Sequence, residues 1–336
     1  MSANTPPTAD SQRATQHAES PQPHWPDWLA PQIRKDITRG DKLTAAIATL
    51  GWLCYVVLVA LLVWVMATLI HNNSIEQQAA QQISAAGESW PPKRKSAELQ
   101  KAYQYNDNLK KYFNGRILAD TADENGDALE RRDSEYQNTL NVDGKGGMAR
   151  LLIPKISVDV PVSHTTQSSV LSSGAGHVYG TALPVGQNGT QSVIAAHSGG
   201  FQGLLFTRLG ELKDGDTFII DVAGERQAYR VFNTRTIDPN DMESALTQIR
   251  DAHGNGSAIV TLVTCTPVGV NTHRLLVSAD RVPDAQAAFA YSQYDAKLHA
   301  LWIALSAFAL TLAVLFAALA LWHKSRPLMR VKHRAP

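Results

Sequence analysis

The chain has 336 residues, enough for one large domain or two ordinary ones, but part of that length is too apolar to contribute to a water-soluble core. A formal net charge of +1 supplies no field for a polyanion, and DNA or RNA binding is excluded as a main function. There are two cysteines, Cys54 and Cys265.

Residues 1–30 are rich in Pro, Ser, Thr, Gln and Ala without periodic apolarity, the composition of a disordered tail, and we assign residues 1–42 to a polar cytoplasmic segment. Residues 43–70 contain no charge and exceed the roughly 20 residues a helix needs to cross hydrocarbon. They are expected to form a retained transmembrane helix, because a cleaved signal peptide has a shorter apolar region and does not follow so long a polar tail. Trp52, Tyr55 and Trp64 suit the headgroup zones.

Residues 71–147 are read as an exterior helical segment and a lid loop. The Gln- and Ala-rich stretch from residue 74 is helical up to Gly87, where Trp90-Pro91-Pro92 interrupts it. A second helical pattern follows over 93–113, with Leu99, Ala102, Tyr103 and Leu109 at compatible spacing. Residues 114–147 are polar and glycine-punctuated, a long surface loop of the kind that forms lids or connectors. Within it, residues 121–127 resemble a calcium loop, but Thr121 stands at the first position and Arg132 at the twelfth, where acids are needed. No metal and no cofactor is expected.

From Met148 the texture becomes β: short apolar or alternating runs at 149–153, 158–162, 192–196, 217–222, 228–236, 258–264 and 274–279, separated by turn residues. Residues 148–283 are therefore expected to be an all-β barrel or sandwich, between which spacing does not choose. Residues 284–298 form a connector, and the uncharged residues 299–322, bracketed by Trp302 and Trp322, form a second span. The tail 323–336 holds Lys324, Arg326, Arg330, Lys332 and Arg334 without an acid. Arg34, Lys35, Arg39 and Lys42 precede the first span, so both termini are expected in the cytoplasm and the β domain outside.

Cys54 lies in a span and Cys265 outside, so the two cannot pair. An unpaired exterior thiol is either buried as a small hydrophobe or used chemically. Cys265 ends a β-run just before Pro267, which cannot continue a central strand, so its sulfur faces a loop-edged groove. Arg274 opens the next apolar run and returns beside Cys265 across a turn. His273 points to the opposite face, because successive strand side chains alternate. A thiol attacks as thiolate and a departing amine needs a proton, so a base is required. Of the eleven histidines, His197 follows a β-run at a strand-to-loop edge; His164 and His177 stand in similar contexts.

The run Thr-Cys-Thr-Pro-Val-Gly-Val-Asn-Thr-His-Arg over 264–274 resembles the signature of class C, pilus-building sortases. Segments 152–162, 174–184, 193–199, 205–209 and 213–216 agree in order and spacing, so the resemblance covers residues 148–283, and two membrane spans match that family's layout. It implies a sortase-type β-barrel in which Cys265 is the nucleophile, His197 the general acid and base, and Arg274 the oxyanion or substrate-backbone donor. It implies a membrane-anchored cysteine transpeptidase that cleaves a Leu-Pro-x-Thr-Gly-like sorting signal and joins the product to a pilin lysine. The implied partners are pilins or surface proteins with C-terminal sorting signals and the lipid bilayer of a Gram-positive cell. Anchoring to cell-wall peptide is the alternative acceptor chemistry; simple hydrolysis and a non-enzymatic adhesion domain are further alternatives.

Two departures from the family pattern stand out. The lid motif, Asp-Pro followed by an aromatic residue, has no counterpart in residues 114–147, which contain no proline; Asp120 or Asp123 would have to serve instead, and Asp238-Pro239 lies inside the β domain before Asn240. Val268 occupies a position where an aromatic residue is frequent.

Overall fold

The computed structural model describes residues 30–113, 129–199, 205–254, 256–283, 306–311 and 313–314. The chain divides into two compact units, residues 1–64 and 65–336. The described part of the first is entirely helical, the opening of α1 (Ala30–Glu88). Leu50, Leu53, Leu58, Leu61 and Trp64 are each more than half exposed. Over Thr49–Glu88 the helix is long and apolar enough to cross a membrane. Of the second expected span, only residues 306–311 and 313–314 are described, and they are helical.

In the second unit, the last turns of α1 present a stripe of buried residues, Ala80, Ile83, Ser84 and Gly87, spaced three and four apart so that they share one face. Ser84 Oγ donates to the buried Asp221 carboxylate. A Cβ on Gly87 would lie 2.8 Å from the backbone of Ala223, so the helix approaches this turn as closely as a glycine allows. Trp90 and the prolines then break the helix, and α2 (Pro92–Phe113) starts with proline at its first position, where a missing N–H costs nothing. Its Leu99, Ala102 and Tyr105 are buried, and the Asn106 amide accepts from Leu183 N–H at 2.7 Å and donates to Leu183 O at 3.2 Å.

The expectation of an open loop over 114–147 needs correction for its second half. Residues 129–138 form two short helices, α3 (Leu129–Arg132) and α4 (Ser134–Asn138). Tyr136, Leu140 and Val142 belong to the main core. Asp133 organises this clip: its carboxylate accepts from Tyr136 N at 2.9 Å, Tyr105 Oη at 3.1 Å and Tyr179 Oη at 3.1 Å. The expected lid residues Asp120 and Asp123 lie outside the described residues.

The β domain is a closed barrel. Its strands are β1 (Gly147–Ile153), β2 (Val158–His164), β3 (Ala175–His177), β4 (Thr190–Ala195), β5 (Thr217–Val222), β6 (Glu225–Ile237), β7 (Ala258–Thr266) and β8 (His273–Val282). They are ordered β1-β2-β3-β4-β7-β8-β6-β5 around the barrel, and β5 returns to β1. The pairs β2·β3 and β4·β7 are parallel; the others are antiparallel. Alternation along each strand sends Leu151, Val162, Ile194, Phe218, Val260, Leu262 and Val277 inward. Phe218 and Tyr229, cross-strand partners, stack with ring centroids 5.5 Å apart.

Two helices absent from the strand pattern sit on the barrel: α5 (Ser168–Leu171) between β2 and β3, and α6 (Met242–His253) between β6 and β7. Ala245, Leu246 and Ile249 of α6 form a second cluster with Val193, Val263 and Leu276. These three strand residues face outward, so the barrel has a covered outer face on β4, β7 and β8.

Candidate active site

The covered outer face points to the chemistry. Cys265 continues the outward-facing series Thr261, Val263 of β7, just beyond the reach of α6. In the antiparallel β7·β8 pair Cys265 is directly opposite Arg274, and directly opposed residues share a face with Cβ atoms about 5 Å apart. His273 pairs with Thr266, turns to the other face and bonds Thr272 Oγ1 at 2.9 Å. The Arg274 guanidinium donates to the carbonyls of Asn271 and His273, at 3.3 and 3.2 Å.

On the other side of Cys265 runs β4. Its register with β7 matches Ile194 to Leu262 and Ala195 to Val263. Two further bonds carry that register past the end of the strand: Ala196 N donates to Val263 O at 3.1 Å, and Thr264 Oγ1 donates to Ala196 O at 2.8 Å. Extended one residue further, the same register leads to residue 197 abreast of residue 265, in step with the outward-facing Val193 and Ala195. Cys265 and Arg274 thus face each other on β7 and β8, and His197 follows two residues after the end of the neighbouring β4. All three are half-buried, reachable from solvent but seated in the sheet.

The loops around them are held in place. His197 O accepts from Phe206 N at 3.0 Å, and Gly199 N donates to Thr207 Oγ1 at 2.8 Å. Gly199 has φ +78°, and a Cβ there would lie 2.8 Å from Val268 Cγ1, so only glycine fits this close approach between two loops. Val268 and Val270 are exposed on the turn after Cys265, which is closed by Val270 N and Asn271 N donating to Pro267 O.

The other two histidine candidates go elsewhere. His164 and His177 are buried. His164 places Nδ1 3.0 Å from Gly146 O and Nε2 2.9 Å from Thr139 O. His177 lies between Tyr136 Oη at Nδ1, 2.9 Å, and Ala182 O at Nε2, 2.9 Å. With Nε2–H donating to a carbonyl, Nδ1 accepts from the tyrosine, and burial holds the imidazole pKa down at about 4. Both rings are structural rivets between the clip and the barrel. Their burial is not visible in sequence, because the residue that encloses them, Tyr136, sits in a polar stretch.

A thiol at a strand end with a guanidinium opposite it and an imidazole on the neighbouring loop can carry acyl transfer, which needs a nucleophile, a proton carrier and an oxyanion donor. Comparisons with known proteins give the family. The Sortase domain family matches residues 151–282. Sortase A of Bacillus anthracis is 25% identical over 191 residues, 52% of this chain and 86% of that protein. Among solved structures, sortase C1 of Streptococcus agalactiae is 32% identical with a TM-score of 0.53, the match covering 62% of this chain and 99% of that one. Sortase C of Streptococcus pneumoniae, whose structure bears on pilin substrate specificity, is 30% identical with a TM-score of 0.52, covering 62% of this chain and 97% of that one.

The chain belongs to the sortase family, in its class C branch. It is accordingly a cysteine transpeptidase.

Proposed function

We propose that this enzyme cleaves a Leu-Pro-x-Thr-Gly-like sorting signal at Cys265 and transfers the acyl fragment to a pilin lysine, building a covalent polymer outside the cell. The observation that supports the reading is the strand register: Cys265 pairs with Arg274, and the β4·β7 register, extended two residues beyond its last pair at Ala195 and Val263, leads to residue 197. Cys265 Sγ, as thiolate, attacks the threonine carbonyl carbon. Arg274 N–H groups hold the oxyanion while the C–N bond breaks, and His197 delivers a proton to the departing amine. The resulting thioester keeps the acyl group activated. An incoming lysine amine attacks it and loses its proton to His197. The C–S bond then breaks, and an isopeptide forms with the Cys265 thiolate and the protonated His197 regenerated.

The apolar helix over Thr49–Glu88 supports anchoring of the enzyme in a bilayer. The proposed layout has spans at 43–70 and 299–322, cytoplasmic termini, and residues 71–298 outside.

Mixing full-length enzyme in detergent with a sorting-signal peptide and a lysine-bearing pilin tests the chemistry by mass spectrometry. The expected result is a thioacyl adduct on Cys265 followed by an isopeptide-linked product. His197→Ala should lower turnover by about 10²- to 10⁴-fold, and Arg274→Ala by about 10²- to 10³-fold. Turnover that survives Cys265→Ala, or stays near wild type in His197→Ala, sinks the assignment. Transfer to cell-wall peptide amines in preference to pilin lysine favours wall anchoring instead.

A further inference from the structure

Between the α3–α4 clip and the outer side of β2 lies a cavity of about 570 Å³. Arg131 and Lys145 line it together with the polar side chains of Gln137, Ser163, Thr165 and Ser169, and no carboxylate does. Other cations of the domain are ion-paired, Arg150 with Asp159 at 2.7 Å, Lys155 with Asp216 at 2.6 Å and Arg208 with Glu211 at 2.7 Å, while Arg235 and Arg281 donate to neutral oxygens of Gln248 and Gly186. Arg131 and Lys145 have no ion-pair partner among the described residues.

The backbone that carries these two cations is fixed. Asp143 Oδ1 accepts from the N–H groups of Lys145 and Gly147, at 2.8 and 2.9 Å, and Asn141 Oδ1 from Gly146 N at 2.9 Å. The helix bearing Arg131 is tied down through Glu130, whose carbonyl accepts from Gln137 Nε2 at 2.9 Å and whose carboxylate accepts from Gln167 Nε2 at 3.0 Å. Two exposed cations without an ion-pair partner among the described residues, on a hydrogen-bonded backbone and backed by hydroxyls, lower the ordering cost of binding an anion. A guanidinium takes a carboxylate in two parallel hydrogen bonds.

Register locates the cavity relative to the chemistry. Val263, Ala195, Gly176 and Ser163 are successive cross-strand partners on the outer face. Neighbouring strands lie about 4.8 Å apart, so Ser163 is about 15 Å across the sheet from the strand of Cys265. That direction runs past His197 and away from Arg274. The imidazole that gives and takes the amine proton must stand on the amine side of the reacting bond. The cavity is therefore on the side from which the acceptor arrives.

We infer that this cavity binds carboxylate side chains of the amine acceptor, selecting a peptide whose acidic residues lie about five positions from the nucleophilic lysine, since an extended chain covers about 3.3 Å per residue. The inference rests on the transpeptidation proposed above.

Two acceptor peptides test it, one with a Glu-Glu pair five residues from its lysine and one with Gln-Gln there, offered to the full-length enzyme with a fixed sorting-signal peptide. The acidic acceptor should show a KM about tenfold lower. In the Arg131→Gln, Lys145→Gln double variant that preference should vanish while thioacyl formation keeps its wild-type rate. Equal KM values in the wild type, or a preference that persists in the double variant, overturns the inference. A second arm is independent of turnover: fluorescence anisotropy of the labelled acidic peptide on the Cys265→Ala protein, with and without the double substitution. Weaker binding only with the substitutions supports the cavity even where acyl transfer fails, a failure that counts against the proposed function alone. Unchanged binding overturns the cavity, and so does displacement of the peptide by an equal concentration of inorganic phosphate.

Discussion

Thr264 is a small residue with a large positional role. Its neighbour Cys265 faces out, so alternation turns Thr264 inward, where it is buried and its hydroxyl donates to Ala196 O at 2.8 Å. One bond thus ties the residue before the thiol to the residue before the imidazole. Thr264→Val keeps the shape and removes the donor, leaving a buried carbonyl unsatisfied at a cost of about 1–3 kcal/mol. We expect a lower melting temperature and an acylation rate reduced by about tenfold, since small misplacements of reacting groups are expensive. Thr264→Ser should restore most of the rate. A Val variant acylating as fast as wild type in single-turnover measurements would show that β4 and β7 hold their register without this bond.

At the scale of elements, what can be read in advance follows from how local each signal is. The alternating run over 217–222 predicts a strand and the structure has β5 there, because its Ala223-Gly224 turn and period-two apolarity are contained in a few residues. Cys265 and Arg274 are likewise read together, since a hairpin brings them into one pair. His197 is a different case: its place beside Cys265 depends on a parallel pairing between strands about 70 residues apart, and the residues alone leave His164 and His177 as rivals. β3, three residues with a glycine in the middle, is too short for any periodicity. α6 carries Ala245, Leu246 and Ile249 at helical spacing, a signal that was available but lay between two strong strands. The α3–α4 clip is held by Asp133 contacts to residues far away in the chain, and nothing in its polar composition announces Tyr136 as core.

That clip carries a pH signature. His177 is fully buried with Tyr136 Oη on one nitrogen, and desolvation lowers its pKa from 6.5 to about 4, with the nearby His164 adding to the effect. The folded state thus binds a proton less readily than the unfolded chain, so this contribution to stability is complete above about pH 6.5 and is lost as pH falls toward 4. The difference corresponds to about 3 kcal/mol. Thermal midpoints of the wild type at pH 7, 5 and 4 should fall more steeply than those of His177→Gln, which starts lower but cannot titrate. Parallel pH slopes for the two proteins would mean that the histidine rivet is not what acid loosens.

At the scale of the whole molecule, the two native cysteines report the proposed topology without any engineering. Cys54 lies on the apolar stretch of α1, exposed as far as protein contacts go, and apolar side chains left uncovered along a helix of that length are matched by hydrocarbon. Cys265 is half-buried at the edge of the barrel, open to reagents in water. The basic residues before residue 43 and after residue 322 favour the cytoplasmic side of a membrane, and the proposed layout has Cys265 outside. In intact protoplasts a membrane-impermeant maleimide should label Cys265 and leave Cys54 unmodified, and detergent should add Cys54 without raising the yield at Cys265. Labelling of Cys265 only after permeabilisation would place the barrel inside the cell and invert the orientation. Labelling of Cys54 in intact cells would mean that water, not lipid, surrounds α1 at that depth.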